Sequence, residues 1–368
     1  MRIVHRRPAP RRVAPRRVAA GAGALGVLLL AAACSSSSAS PTSGSSSSVI
    51  NGAGSTFAAP MYQQWAGQYH QSVNKSAQVN YQAIGSGGGI SEFTQGVVDF
   101  GATDAPMTGT EKAAAQAGQG SVVLHIPMII GAVALAYNEP GLTSLTLDGP
   151  TLANIYLGNI SKWNDPAIKK LNPGVKLPSD AIQPVERADS SGTSYAFTSY
   201  LTAISPAWAS KVGASKAPAW PVGTGATGTS GVAAAVQQTK GTIGYVEYGY
   251  AVQGHIPVAS LVNAAGKTVA PSTASTNAAS AAATYPTDLT NLTFSLVNSS
   301  DPAAYPIVTP TYVLIAQKQK DSAKGSNLKA WLKWDLATTQ QNGVPKLGYA
   351  PLPSKLDQLS LAALNTVH

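Results

Sequence analysis

Three times in this chain a short strand-like run ends in a cluster of small residues and passes straight into a helix-like run. The clusters are Gly54-Ser55-Thr56-Phe57, Gly85-Ser86-Gly87 and Ser191-Gly192-Thr193. Strand, small-residue turn and helix, repeated with other strand-like and helix-like runs alternating between them, confine the chain to α/β layers. The first amides of a helix have no intrahelical acceptor, and the helix dipole adds partial positive charge beside them. Each junction is therefore a place where an anion can be held. One Gly/Ser-rich turn is ordinarily just a turn; three of one design, able to aim N–H and hydroxyl groups at a common point, argue for a site.

The third junction is the richest. Arg187-Ala-Asp189-Ser190-Ser191-Gly192-Thr193 follows an extended, alternating segment (Ala181 to Val185) and leads into a helix-like stretch from Ser194 to Ile204. Ser191 and Thr193 add hydroxyl donors, Gly192 permits close approach of backbone, and Arg187 brings a fixed fork of donors. Asp189 shares a strand face with Arg187 and is expected to pair with the guanidinium and fix it. Nothing in the run is a base or an evident nucleophile, so it reads as holding an anion, not cutting one. Asp104, in Asp99-Phe-Gly-Ala-Thr-Asp104-Ala-Pro106, ends another predicted strand; taken alone it reads as a cap or turn aspartate.

The N-terminus decides how much of the chain folds. Met1 to Arg17 carries seven arginines and no acid, Val18 to Ala33 is apolar, and Cys34, the sole cysteine, follows three alanines. This is a signal peptide over residues 1–33, too short and too asymmetrically flanked for a membrane span. Leu30-Ala-Ala-Ala-Cys34 resembles a bacterial lipobox, with the leucine one place upstream of the commonest position, so Cys34 is expected to be lipidated. The arginine pairs lack the rest of a twin-arginine signal, and the export route stays open. Taking those seven arginines from the 25 Lys and Arg leaves 18 basic against 16 acidic residues, so the formal +9 falls to +2. The basic balance thus carries no argument for nucleic acid. With its thiol at the anchor, the folded part holds no disulfide and no cysteine metal site. Residues 34–48, mostly serine, form a tether with a root-mean-square reach of roughly 20 Å. About 320 residues then remain from Val49 onward, which suits two domains of ordinary size.

Pro60 suits the first turn of a helix with Tyr62, Trp65 and Tyr69 on one face. Val122–Ile130 and Ala132–Tyr137 are apolar enough for buried strands. Residues 151–157, 231–238 and 327–338 look helical, whereas 242–246 and 307–315 look extended. Ala270–Ala283, of Ala, Ser and Thr, reads as a loose surface loop. Gly266-Lys267-Thr268 looks like the end of a phosphate loop, but Leu261 stands where its first glycine belongs, so a turn is expected. His70, His125 and His255 have no metal-ligand spacing, and His125 lies in an apolar strand where a core role is expected. No Gly-x-Ser-x-Gly elbow occurs and no histidine partner is visible for Ser191. Aromatics are not interleaved with basic clusters as single-strand nucleic-acid binding needs.

Taken together, Gly52-Ala-Gly-Ser-Thr-Phe57, Tyr81-Gln-Ala-Ile-Gly-Ser86-Gly-Gly, Val98-Asp-Phe-Gly-Ala-Thr-Asp104-Ala-Pro, Leu152-Ala-Asn-Ile-Tyr-Leu-Gly158, Lys162-Trp163, Arg187-Ala-Asp-Ser-Ser-Gly-Thr-Ser194 and Gly244-Tyr-Val-Glu-Tyr248 resemble, in order and spacing, the substrate-binding protein of the bacterial phosphate-specific ABC transporter. The resemblance runs from about Gly52 to beyond Pro310. It implies an α/β, two-lobed periplasmic-binding-protein fold (type II-like), with a hinge and a ligand cleft between the lobes. The first lobe would comprise residues 49–137 plus 307–368 and the second 138–306. It further implies phosphate held by Thr56, Phe57, Ser86, Arg187, Ser191, Gly192 and Thr193, with Asp104 as the one acceptor, taking the proton of hydrogen phosphate. Ala58 stands where the family often has proline, Gly87 where a second serine is common, and Ser190 where glycine is frequent; Gly87 puts any second hydroxyl contact in doubt. The implied protein is a monomer without cofactor or metal, not an enzyme, anchored outside the cytoplasmic membrane through Cys34 and handing phosphate to a permease.

The chemistry of the anion supports this separately. Phosphate near neutral pH still carries a proton, whereas sulfate does not. A carboxylate among donors therefore bonds the first and repels the second, a distinction of roughly 10⁴–10⁵ where a buried group would be left unpaired. Charge-assisted bonds of about 1.5–3 kcal/mol each leave room for about −8 kcal/mol of binding, or micromolar affinity. Another tetrahedral oxyanion such as sulfate or molybdate, a secreted serine esterase or phosphatase using Ser191 or Ser86, and a stalked adhesin are the alternatives.

Overall fold

A computed structural model of the chain describes residues 49–368; the signal peptide expected at 1–33, Cys34 and the tether expected to Ser48 lie outside the described residues. Eleven strands are found among them: β1 Val49–Gly54, β2 Gln78–Ala83, β3 Phe100–Thr103, β4 Val123–Asn138, β5 Thr146–Leu147, β6 Gln183–Arg187, β7 Thr224–Ala226, β8 Thr242–Glu247, β9 Ser260–Val262, β10 Thr268–Val269 and β11 Val308–Ala316. Eight form one curled sheet in the order β2-β1-β3-β11-β4-β8-β6-β7, and β10-β9-β5 form a small second sheet.

The long strand β4 organises the molecule. The two buried runs read at 122–130 and 132–137 are one continuous strand. Gly131 does not break it: a side chain at that position would run into the Phe57 ring. As far as Ala132 the strand pairs antiparallel with β11, and from Val133 onward it pairs with β8. The chain is thereby divided into two lobes. One is built on β2, β1, β3, β11 and the start of β4; the other on the end of β4, β8, β6 and β7. This is the α/β, two-lobed arrangement that the alternation and the family resemblance led one to expect.

Each lobe has an aromatic centre. The helix Ala59–Ser72 carries Pro60 in its first turn, as expected, and buries Tyr62, Trp65 and Tyr69. Tyr62 packs against Trp65, Tyr81, Phe100 and Trp331. In the second lobe Phe197 stacks on Tyr245 at 4.5 Å, with Tyr156 and Trp220 around them. Burying side chains of this size stabilises by about 1.5–3 kcal/mol each, which makes both lobe cores firm platforms for the loops between them.

One expectation fails. Ala270–Ala283 is not a loose loop: Thr273–Ala281 is a helix, opened by a capping box between Ser272 and Ser275, with Ser275, Thr276, Ala279 and Ser280 buried. The composition that suggested disorder is also that of a capped alanine-rich helix, whose small side chains allow close packing. The turn at Gly266 does join β9 to β10 as read, with φ 71° at the glycine. His125 is a core residue of β4, its Nε2 accepting from the Met107 N–H at 3.2 Å, and burial pushes its pKa down to about 3. Among the described residues no helix is long and apolar enough to cross a membrane, and no three His, Cys, Asp or Glu side chains gather as metal ligands would.

Asp335, at the end of the helix Ser322–Asp335, is fully buried, and neither carboxylate oxygen has a partner among the described residues. Burial holds its pKa well above the ordinary value. The folded protein thus binds this proton more tightly than the unfolded chain, so the penalty is absent below the unfolded pKa and grows as pH rises. Asp335→Asn should raise the melting temperature at pH 8, by about 1–3 kcal/mol of stability, and leave it nearly unchanged at pH 4. Thermal melting at the two pH values tests this, and equal gains at both would disprove it.

Candidate functional site

The small-residue turns meet. Gly192 N–H donates to Ser86 Oγ at 3.0 Å, and Gly87 N–H donates to the Ser190 carbonyl at 2.9 Å, which joins the second turn to the third across the lobes. The first turn meets a fourth that the sequence reading passed over, Thr227-Gly228-Thr229-Ser230-Gly231, at the start of the helix Gly228–Gln238. Thr229 N–H donates to Thr56 Oγ1 at 3.2 Å, and the two threonine hydroxyls lie 3.0 Å apart. At the rim, Lys216 Nζ lies 2.6 and 2.5 Å from the two carboxylate oxygens of Glu111. Glu111 is held below the ordinary carboxylate range: burial opposes this, and the bonds from Lys216 and the Thr108 amide outweigh it.

Arg187 ends β6 and is 4% exposed. Its Nε and Nη2 donate to the two carboxylate oxygens of Asp189 at 2.7 and 2.5 Å, the pair expected from their spacing. Asp189 also accepts from Gly228 N–H at 3.0 Å. Despite burial, these bonds and the guanidinium charge hold its carboxyl below the ordinary range. The remaining Nη1 lies 3.4 Å from both Thr193 Oγ1 and Thr229 Oγ1 and faces the site. The Arg187 backbone is fixed too, since its N–H donates to Tyr245 Oη at 2.9 Å and that hydroxyl lies 2.7 Å from Ser194 Oγ. The end of β6 and the start of the helix Gly192–Ile204 are thus locked in one register.

That helix begins two residues before the expected Ser194 because Ser191 caps it, its Oγ accepting from Ser194 N–H at 3.1 Å. An accepting hydroxyl keeps its proton, so Ser191 remains a donor toward the site. The backbone N–H groups of Thr56, Phe57, Ser86 and Thr193 find no acceptor among the described residues, although all four residues are buried. Buried amides without acceptors are rare. Four of them beside a guanidinium make surroundings that favour negative charge.

Opposite these donors stands Asp104, 3% exposed. Its Oδ1 accepts from Ser55 Oγ at 2.5 Å and Thr311 Oγ1 at 3.1 Å, whereas Oδ2 has only Ser86 Oγ, at 3.5 Å. Burial raises its pKa to about 6, against the pull of Ser55, Thr311 and Arg187. This is one acceptor with an underused oxygen amid unsatisfied donors. Every site residue expected from sequence within the described region converges here: Thr56, Phe57, Ser86, Asp104, Arg187, Ser191, Gly192 and Thr193, with Asp189 behind the guanidinium. Cys34 lies outside the described residues. Sequence reasoning missed Thr229 and Thr311 and gave Ser55 no role. The fourth small-residue turn was a legible signal for Thr229; nothing local marks Thr311, which reaches Asp104 from β11.

Gly192 lies directly against the first lobe. A Cβ there would stand 2.7 Å from the Cβ and backbone nitrogen of Asp104. Gly192→Ala should hold the lobes apart and weaken anion binding about 5- to 150-fold, given overpacking costs of about 1–3 kcal/mol. The melting temperature of the anion-free protein should barely change. Calorimetric titration together with thermal melting checks both statements.

Residues 36–337 match the model of the PBP superfamily domain. The chain is 40% identical over 307 residues to the phosphate-binding protein PstS of Xylella fastidiosa strain 9a5c, covering 83% of this chain and 82% of that one. It is also 40% identical over 313 residues to the phosphate-binding protein PstS of Pasteurella multocida strain Pm70, covering 84% and 88%. Among solved structures, the high-affinity periplasmic phosphate-binding protein PfluDING, bound with phosphate at pH 8.5, superposes with a TM-score of 0.70 at 20% identity. That superposition covers 85% of this chain and 93% of that one.

Proposed function

This chain belongs to the PBP superfamily and, within it, to the phosphate-binding proteins, and from that membership we propose that it captures inorganic phosphate outside the cytoplasmic membrane and delivers it to an ABC permease. The observation that carries the reading is the buried Asp104, with one underused carboxylate oxygen, facing four unsatisfied amides and the Arg187 guanidinium. Hydrogen phosphate matches such a set. Its proton meets Asp104 Oδ2, and its remaining oxygens accept from Thr56, Phe57, Ser86, Ser191, Thr193 and Arg187, while Gly192, its N–H taken by Ser86 Oγ, allows the close approach of the turn. Thr229 joins them through Arg187 and Thr56.

Binding would proceed by closure of the lobe on β2, β1, β3 and β11 against the lobe on β8, β6 and β7, with the partner exchange in β4 at Ala132 and Val133 as the hinge, a few residues ahead of the boundary expected at 137. Ser86 to Gly192, Gly87 to Ser190 and Lys216 to Glu111 are the contacts that closure makes. Each excludes water from the anion, which strengthens the charged bonds within. Lipidation of Cys34 would tether the receptor as a monomer at the membrane face. One acyl chain binds only marginally, so more than one is part of the proposal. The chemistry is capture and release, with no bond broken in the ligand.

A calorimetric titration of anion-stripped protein with phosphate and with sulfate decides the matter. One-to-one binding at micromolar or tighter affinity is expected for phosphate, with little response to sulfate. Sulfate binding alone would keep the fold and overturn the ligand; turnover of a phosphomonoester would restore the hydrolase reading.

A further inference from the structure

Three phenols hold the first turn of the site. Tyr81 Oη donates to the Ser55 carbonyl at 2.8 Å, Tyr250 Oη to the Thr56 carbonyl at 3.1 Å, and Tyr349 Oη to the Phe57 carbonyl at 2.5 Å. Three consecutive carbonyls are thus taken by tyrosines from three distant parts of the chain: β2, the helix Tyr248–Gln253, and the segment whose Ala350 bridges Ile130 of β4.

The consequence follows from the peptide group itself. In a planar trans peptide the N–H points opposite to the C=O. Holding the Ser55 carbonyl aims the Thr56 N–H the other way, and holding the Thr56 carbonyl does the same for the Phe57 N–H. These are two of the four unsatisfied amides of the site. Holding the Phe57 carbonyl aims the Ala58 N–H, which donates to Ser55 Oγ at 3.1 Å, and Ser55 Oγ in turn donates to Asp104 Oδ1. Each phenol therefore governs one polar group that faces the anion or its acceptor. All three stay protonated donors near neutral pH: burial, with Tyr62 and Asp104 beside Tyr81 and Glu247 beside Tyr349, pushes both well up, and burial with Glu247 nearby takes Tyr250 to about 12.

Tyr250 differs from the other two because it belongs to the opposite lobe. Its helix is capped by Glu247, whose carboxylate accepts from Gly249 N–H at 2.6 Å and Tyr250 N–H at 3.2 Å. Glu247 is paired with Val133, the residue at which β4 changes partners. The Tyr250 bond to Thr56 therefore spans the lobes, close to the point where β4 changes partners. We propose that Tyr81, Tyr250 and Tyr349 are positioning residues that aim the amide donors of the first turn, and that Tyr250 couples this aim to lobe closure. The proposal rests on the phosphate reading above.

The test compares Tyr250→Phe, Tyr81→Phe and Tyr349→Phe with the unaltered protein, following phosphate affinity, dissociation rate and the melting temperature of the anion-free form. If Tyr250 couples the turn to closure, Tyr250→Phe should weaken phosphate binding about tenfold through faster dissociation, with the association rate and anion-free melting temperature unchanged. Tyr81→Phe and Tyr349→Phe should weaken binding by a similar factor and lower the melting temperature as well. A lowered melting temperature with unchanged affinity in all three would make the phenols purely structural and overturn the proposal. So would a Tyr250→Phe protein that releases phosphate at the unaltered rate. If the unaltered protein takes sulfate and not phosphate, the phosphate reading falls by itself. The same comparison with sulfate then judges the clamp, where the same tenfold loss is expected.

Discussion

Asp104→Asn should abolish discrimination between phosphate and sulfate. The unaltered carboxylate offers hydrogen phosphate an acceptor and offers sulfate only repulsion, a difference on the order of 10⁴–10⁵ when the site is dry. An asparagine of the same shape turns an N–H toward the ligand, so the variant should bind both dianions within about tenfold of each other at pH 8. Ser55 and Thr311 still have an oxygen to donate to, so the fold should survive. The pH profile gives a second check. Burial lifts the Asp104 pKa to about 6, so the carboxylate is ionised at pH 8 and increasingly protonated below pH 6. Sulfate affinity of the unaltered protein should therefore rise as pH falls through about 6, while that of Asp104→Asn stays flat. Isothermal titration at pH 5, 6 and 8 tests this, and a flat profile in the unaltered protein would show that Asp104 does not read the ligand proton.

Arg187→Met should cost phosphate affinity about 10²–10³, the loss of a charge-assisted donor together with the charge that balances the anion. It should also destabilise the protein by about 1–3 kcal/mol, because the half-buried Asp189, its side chain 18% exposed, is left with Gly228 N–H as its remaining strong partner. The two effects separate in the double variant Arg187→Met, Asp189→Asn, in which the stranded charge is gone. Its melting temperature should recover most of the loss while its affinity does not. Recovery of both would mean that Arg187 serves the fold and not the ligand.

The parts of this site legible from sequence were those whose chemistry is local. A helix cap, an Arg and Asp two residues apart on a strand, and a glycine at a crowded crossing each leave a signature within a few positions, and the turns at Thr56, Ser86 and Ser191 were found that way. The illegible parts are those made by the sheet. Thr311 reaches Asp104 because β11 is inserted between β3 and β4, and no pattern near residue 311 announces that neighbour. The same limit hid the three phenols, one a core tyrosine and two half-buried ones, which look ordinary until the turn they hold is known. At the level of elements, period and composition misled in two places. Gly131 divided one long strand into two on paper, although its missing side chain is what lets Phe57 pack there, and the small residues of 273–281 looked like a linker although serine capping makes them a helix. In both cases the deciding contact lies outside any short window of sequence.

The insertion of β11 also fixes the order in which this molecule can be assembled. The strand that bridges β3 and β4 is the last of the described strands in the chain, Val308–Ala316. A polypeptide emerging N-terminus first carries β1 to β3 with an unfilled edge, and β4 with half its ladder missing, until those residues arrive. Such distant pairings are slow to form and leave strand edges open meanwhile. The sheet of the first lobe therefore closes only once Val308–Ala316 has arrived, which makes its completion the last strand-pairing step available to the growing chain.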